Sequence, residues 1–278
     1  MTSVSDSNLS TDDLPSDAKP LWTALIMAGQ RPEGDPMAAY CNVQYKALIP
    51  INGLTMLERV ARALMASPYI GRIVVMAQSP EGLKAGLSPD LAEHNGIAFI
   101  ESNDGIATSI HGVIGSDVAP WPVLVTTADN ALLTGEILDS FFQAHSGQDV
   151  AVGVVERRTM LAAYPDARRT WLKFRGGAYS GANLFALHNV AAKPAVAFWS
   201  AVEKDRKKGW RIFAHFGPWL LLRALSRTIG FKDAMAQAGQ RMSLRAEPII
   251  LPIAEAAIDV DKPGDLELVT GILERREG

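Results

Sequence analysis

Trp22-Thr23-Ala24-Leu25-Ile26-Met27-Ala28-Gly29-Gln30-Arg31 decides how the chain is read. Trp22 to Met27 is apolar but for Thr23 and predicts a buried first strand, which Gly29 breaks into a turn. Outward from it, strand-length apolar runs alternate with helical periods. Met56 to Met65 predicts a helix with Met56, Leu57, Val60 and Leu64 inward, followed by strands at Ile73–Met76 and Ile97–Ile100. A helix near Ser109–Ile114, the strand Val123–Thr127, the helix Thr134–Phe142 capped by Thr134, and the strand Val150–Val155 follow. This alternation predicts the α/β class, a mostly parallel sheet covered by helices. Beyond Glu156 the rhythm changes. Arg157, Arg158, Arg168 and Arg169 flank a loop, and Trp171–Phe174 and Asn183–Ala186 read as strands among glycines. A helical region follows from Trp210 to Leu225, and the chain closes with strands at Ile249–Ile253 and Ala257–Val260 and a helix from Gly264 to Arg275.

Composition narrows the class of function. The 278 residues are 48% hydrophobic, enough for one large core, and the formal net charge of -3 gathers no nucleic acid. The single cysteine, Cys41, excludes an internal disulfide, and a reduced cytoplasmic setting fits it. Residues 1–18 are Ser/Asp/Thr-rich, lack the basic start and apolar stretch of a secretory signal, and read as a disordered leader to one domain over 19–278. No segment reaches the about 18 uninterrupted apolar residues of a membrane span. The basic run Lys204, Arg206, Lys207, Lys208 does lead into Trp210, Phe213, Phe216, Trp219 and Leu220 at near-helical spacing. It leaves open a peripheral membrane contact, set against simple packing of a helical insertion over about 190–248.

Three clusters carry chemistry. In Ala28-Gly29-Gln30-Arg31, glycine lets backbone N–H groups approach phosphate oxygens, and Arg31 with Lys46 offers charge for a triphosphate, although a Gly and an Arg after a strand also serve as plain turn chemistry. Thr127-Ala128-Asp129-Asn130 ends an apolar strand in a carboxylate, where open parallel sheets bind ligands; read alone, Asp129 serves equally as a turn opener. In Asp259-Val260-Asp261-Lys262-Pro263-Gly264-Asp265, alternation puts Asp259 and Asp261 on one face of a strand, while Asp261 ahead of Pro263 also suits a helix cap. The five histidines show no metal spacing, and Cys41 has no nearby His in sequence.

In order, these clusters resemble the MobA-like NTP transferases, a branch of the GT-A-type nucleotidyltransferases. The resemblance runs from Leu21 to about Leu273 and rests on Leu25–Arg31, Lys46 ahead of Leu48-Ile49-Pro50-Ile51-Asn52-Gly53, Thr127–Asp129 and Asp259–Leu266. It implies a single Rossmann-like domain with helices on both sheet faces and a helical C-terminal elaboration. It further implies that Ala28, Gly29, Gln30, Arg31 and Lys46 hold the triphosphate, that Thr108 and Ser109 help hold base or ribose, and that Asp129 and Asp261 bind Mg²⁺. Arg31, Lys46 and Asp129 would be catalytic. Tyr179-Ser180-Gly181-Ala182-Asn183 resembles the acceptor-side loop, so Ser180, Gly181 and Asn183, with Lys173 from the basic group Arg168, Arg169, Lys173 and Arg175, are expected to bind the acceptor. The expected reaction moves a nucleoside monophosphate from CTP, GTP or UTP to a small phosphorylated acceptor such as a sugar or polyol phosphate. A pterin acceptor and a GT-A glycosyltransferase using a sugar nucleotide are the alternatives, and a homodimer is left open. Two departures stand out: the stretch from Gly29 to Lys46 lacks the family's usual second glycine, and Lys204 to Leu244 is long for a minimal member.

Overall fold

The structure is a computed structural model and describes residues 21–30, 34–103, 105–204 and 217–277. Its strands are β1 (Trp22–Met27), β2 (Pro50–Ile51), β3 (Leu54–Thr55), β4 (Ile70–Ala77), β5 (Ile97–Glu101), β6 (Val123–Thr127), β7 (Val150–Glu156), β8 (Leu172–Phe174), β9 (Gly177–Leu187) and β10 (Ala246–Leu251). Eight of them form one sheet in the order β10-β7-β9-β6-β1-β4-β5, with β8 hydrogen-bonded to β9, while β2 and β3 make a separate hairpin. β1 is parallel to both β4 and β6, β4 to β5 and β7 to β10; only β9 runs against its neighbours β6, β7 and β8.

The apolar run of β1 is explained by its position in the middle of this sheet. Ala24 and Ile26 enter one core with the helices Met56–Met65, Gly135–Ala144 and Pro263–Glu277. Leu25 and Met27 enter the other, with Ile110, Val196 and Met235 from the helices Ile106–Val113, Lys193–Lys204 and Phe231–Arg241. With both faces dry, a strand has no polar side to show. The parallel sheet with helices on both faces is the architecture the alternation predicts.

Two expectations are corrected. Asn183–Ala186 is the inner part of an eleven-residue strand, β9. Ala257–Val260 is not a strand: Ala254–Ala257 form a 3-10 turn whose alanines, with Ile258 and Val260, are buried in the core instead of joining a ladder. Their hydrophobicity is the same as that of a strand, but the backbone goes elsewhere, with Ile258 N–H donating to Glu255 O and Val260 N–H to Asp129 O. Most of the basic and aromatic segment read as a membrane candidate, residues 205–216, lies outside the described residues, as does the leader. At its described end the helix Pro218–Leu225 leaves Trp219, Leu222 and Leu225 exposed. No helix among the described residues is long and apolar enough to cross a membrane.

One capping interaction locks the helix Met56–Met65 to a distant loop. Thr55 caps Met56–Met65 by accepting from Glu58 N–H, and Glu58 Oε2 accepts from Thr55 N–H at 2.8 Å, a capping box. The second oxygen of Glu58 accepts from Ser88 N–H at 2.9 Å, which ties the Ser88 turn to the same carboxylate. Burial pushes the Glu58 carboxyl up, but the hydrogen bonds from Ser88 and Thr55 outweigh it and hold the group below the usual glutamate range. A depressed folded pKa stabilises fully above the unfolded value, near ~4.3, and fades as pH falls through the folded value. We expect Glu58→Ala to cost about 2 kcal/mol in denaturant unfolding at neutral pH and visibly less in acid. A neutral-pH midpoint equal to wild type contradicts this account.

Candidate active site

Lys46 begins a 3-10 turn, Lys46–Leu48, and its ammonium lies between two carboxylates: Asp129 Oδ2 at 2.6 Å and Asp261 Oδ1 at 2.7 Å. Asp129 follows β6 directly, where the parallel strands end, and Thr127 Oγ1 donates to its other oxygen at 2.5 Å. The backbone joins the same two segments, since Val260 N–H donates to Asp129 O at 3.2 Å. Residues 83 and 215 positions from Lys46 thus meet on one lysine. Burial alone lowers the affinity of Lys46 for its proton, but the attraction and hydrogen bonds of Asp129, then Asp261, overcome it, and the pKa rises.

Asp261 does not cap the helix that follows it. Asp261 points its carboxylate at Lys46, and the capping is done by Asp265 in the first turn of Pro263–Glu277, whose Oδ2 accepts from Asp261 N–H at 3.2 Å and Lys262 N–H at 3.1 Å. Nor do Asp259 and Asp261 share a strand face. Asp259 accepts from Arg169 Nη1 at 2.8 Å and from Asn183 Nδ2 at 3.3 Å, and Arg169 also pairs with Asp265 at 3.2 Å. Burial first, then repulsion from Asp129 and Asp261, raises the Asp259 pKa against the pull of Arg169. Arg169, only 8% exposed, is therefore the counter-ion that makes a third nearby carboxylate tolerable, not a free phosphate ligand as expected.

The glycine turn after β1 depends on a residue that sequence reading missed. Gln30 N–H donates to Gln78 Oε1 at 2.9 Å, and a Cβ on Gly29 would come within 3.0 Å of the same Gln78 amide. Ala28 is buried, Gly29 is exposed and Gln30 is partly so, which leaves the turn open at the strand end. Arg31 lies outside the described residues. Glu203 was missed as well. Its carboxylate accepts from Ile106 N–H at 2.8 Å and Ala107 N–H at 2.9 Å, at the positive end of Ile106–Val113. Gly105 (φ 104) permits this, since a Cβ there would meet Glu203 Oε2 at 2.6 Å. Neither contact has a local signature, for the partners are 48 and 97 positions apart.

Other expected residues are placed differently. Ser109 is fully buried and donates to Gly105 O at 2.7 Å, while Thr108 pairs with Ser200 at 2.8 Å. The Ser109 hydroxyl is spent on the turn that starts its own helix and Thr108 ties that helix to Lys193–Lys204, which corrects the expectation that they face a base or ribose. On β9, Ser180 is buried, Gly181 is exposed, and Asn183 takes the left-handed backbone (φ 50) that asparagine tolerates better than most residues. The structure brings together Lys46, Asp129, Asp259, Asp261 and Asn183. Lys173 on β8 stands apart from them at a separate hollow, and the Arg175 guanidinium pairs with Asp233 at 3.9 Å.

The carboxylates fit a divalent cation in their chemistry. Two carboxylate oxygens already converge on one cationic atom, and hard oxygen donors are what Mg²⁺ takes. Among the described residues no three His, Cys, Asp or Glu side chains form a metal site by themselves, so nucleotide phosphates would have to complete the shell.

Comparison with known proteins agrees with this fold. No curated protein matches. A hypothetical transferase from Thermus thermophilus has a similar structure, with 23% identity and a TM-score of 0.74 over 89% of this chain and 100% of that one. The 4-diphosphocytidyl-2C-methyl-D-erythritol synthase of Anaerococcus prevotii (11% identity, TM-score 0.55, covering 92% and 99%) shares the fold. So does a CMP:2-keto-3-deoxy-manno-octonic acid synthetase complexed with CTP (12%, TM-score 0.55, covering 92% and 100%). Residues 24–214, well over half of the chain and including Lys46 and Asp129, match the MobA-like NTP transferase domain, and the chain belongs to the MobA-like NTP transferase family of nucleotidyltransferases.

Proposed function

We propose that the enzyme transfers a nucleoside monophosphate from an NTP, with CTP the first to be tried, to a small phosphorylated acceptor and releases pyrophosphate. The observation that carries this reading is Lys46 bridging Asp129 and Asp261 at the carboxyl end of the parallel strands. CTP is favoured because two of the similar structures are named for cytidyl or CMP products. A sugar or polyol phosphate is the first choice of acceptor, and a pterin the next.

In this reaction an acceptor phosphate oxygen forms a bond to the α-phosphorus as the bond to the β-phosphate oxygen breaks. No protein nucleophile is needed, so the residues work by positioning and by offsetting charge. Asp129 and Asp261 would hold Mg²⁺, which when bound polarises the α-phosphoryl group. Lys46 leaves the two carboxylates as the nucleotide loads and turns its charge to the phosphates, joined there by Arg31. Gly29 and Gln30, steadied by Gln78, present the open turn to the triphosphate, and Asn183 lies on the acceptor side. Asp259, committed to Arg169, positions Asn183 rather than binding the metal.

The test is purified protein with each NTP, Mg²⁺ and a panel of sugar, polyol and pterin phosphates, scored for pyrophosphate and a new nucleotide-linked product. Asp129→Asn and Asp261→Asn are expected to keep the fold and lose roughly a hundred- to a thousand-fold in turnover. Near-normal, Mg²⁺-dependent turnover in Asp261→Asn would remove it from the ligand set. Lys46→Met has a less obvious expected outcome. Turnover falls, yet Mn²⁺ binding without nucleotide, read by the electron paramagnetic resonance of the free ion, becomes tighter than in wild type, because the resident ammonium no longer competes for the carboxylates. Equal or weaker Mn²⁺ binding argues against the exchange.

A further inference from the structure

The hairpin β8–β9 carries a second cationic site that the chemistry above does not use. An open hollow of about 620 Å³ is bordered by Arg157, Arg158, Lys173 and Arg227. These four cations come from three separate segments: the start of the Arg157–Ala163 helix, β8, and the turn after Pro218–Leu225. Against them stands one carboxylate, Glu156, which pairs with Arg158 at 2.7 Å. Among the described residues Arg157, Lys173 and Arg227 have no acidic partner. For a chain whose net charge is -3, this is a local excess of positive charge with a repulsive cost.

Part of the lining of the hollow is apolar. Phe174, in that part, stacks on Phe231 with ring centroids 4.7 Å apart, and Tyr179 closes the cluster against Phe231 at 5.0 Å. Leu161 adds an aliphatic wall. Arg227 is held at φ 55, a conformation that costs a non-glycine residue energy, by hydrogen bonds from its own N–H to Ala224 O and from Thr228 N–H to Arg223 O. A partly apolar lining with fork-shaped and point-like cations suits a phosphate ester: the cations take the phosphate, and the carbon body rests on the apolar part.

Topology places this hollow on the acceptor side of the catalytic edge. β7 and β6 run in the same direction, and the outer half of β9 runs past the carboxyl end of β6 while staying paired to the end of β7, with Tyr179 paired to both Glu156 and Leu172. Lys173 pairs with Ala178, five residues along β9 from Asn183, roughly 17 Å at about 3.4 Å per residue. That is too far for the hollow to hold the attacking oxygen. We infer that the hollow of Arg157, Arg158, Lys173 and Arg227 binds a second phosphate, carried by the acceptor at the end remote from the bond being made. The acceptor class is thereby narrowed to elongated molecules with two anionic ends. This rests on the nucleotidyltransfer reading above for what the ligand is, though not for where it binds.

Inorganic phosphate is the probe, titrated calorimetrically at low salt into Lys46→Met protein so that the nucleotide side contributes least. We expect binding that R157Q/K173Q, added to that background, weakens at least about tenfold, while the charge-matched pair K84Q/K193Q leaves it unchanged. Equal binding with and without R157Q/K173Q, or equal weakening by the control pair, overturns the site. In otherwise wild-type protein, R157Q/K173Q should raise the acceptor KM by a similar factor and leave the NTP KM alone. Lost phosphate binding with an unchanged acceptor KM overturns the assignment to the acceptor. Absence of pyrophosphate release with every NTP would sink the nucleotidyltransfer reading, and the phosphate titration would still decide the hollow.

Discussion

The contacts of Lys46 with Asp129 and Asp261 hold the carboxyl edge of the sheet in one piece. Each carboxylate is at the end of a segment with its own reasons for being where it is: Asp129 because β6 stops there, Asp261 because Asp265 starts a helix just after it. Nothing in those reasons brings the two carboxylates together. A single ammonium, 15% exposed and bonded to both, offsets the repulsion between them, and the Val260–Asp129 backbone bond adds a second tie. Remove the ammonium, and two carboxylates with Asp259 close behind face one another over a small volume, an arrangement that only another cation could stabilise.

Arg169 does for Asp259 what Lys46 does for the other two. Its guanidinium spans Asp259 and Asp265, so the carboxylate that orients Asn183 and the one that starts the last helix are set by the same planar group. The outcome is a division of labour among four aspartates: two face the cation position, one positions a neighbour, and one caps. An acidic motif with three aspartates in seven residues reads as a metal cluster, but only Asp261 of the three is turned toward Lys46.

Much of this was legible in the sequence and some was not, for physical reasons. The bounds of β1, β6 and the Met56–Met65 helix followed from periodicity and capping chemistry, which are local. Lys46, Asp129 and Asp261 were legible because they sit at punctuation points of the chain. The strand expected at Ala257–Val260 was not there because burial in a core and pairing in a ladder demand the same apolar residues. The uses of Ser109 and Arg169 were misread because side-chain partners are chosen in three dimensions: the same hydroxyl or guanidinium serves ligand or scaffold, and only its neighbours decide. Gln78 and Glu203 had no signal at all, being partners to backbone amides far away in sequence.

The reversed strand β9 has an evolutionary consequence. Its inner half is fixed by pairing on both sides, Phe185 to Leu187 against Val123 to Val125 and Val150 to Val152. That register does not depend on what happens beyond Asn183, where the strand continues into the overhanging hairpin. Insertions, deletions or substitutions between Leu172 and Ala178, ahead of the Tyr179–Gly181 pairing with β7, can therefore reshape the outer wing without shifting β6 or moving Asp129. The fold is modular at this seam: one half of the sheet can stay as it is while the hairpin drifts, and lineages that diverge there need not rebuild the edge where Lys46, Asp129 and Asp261 meet.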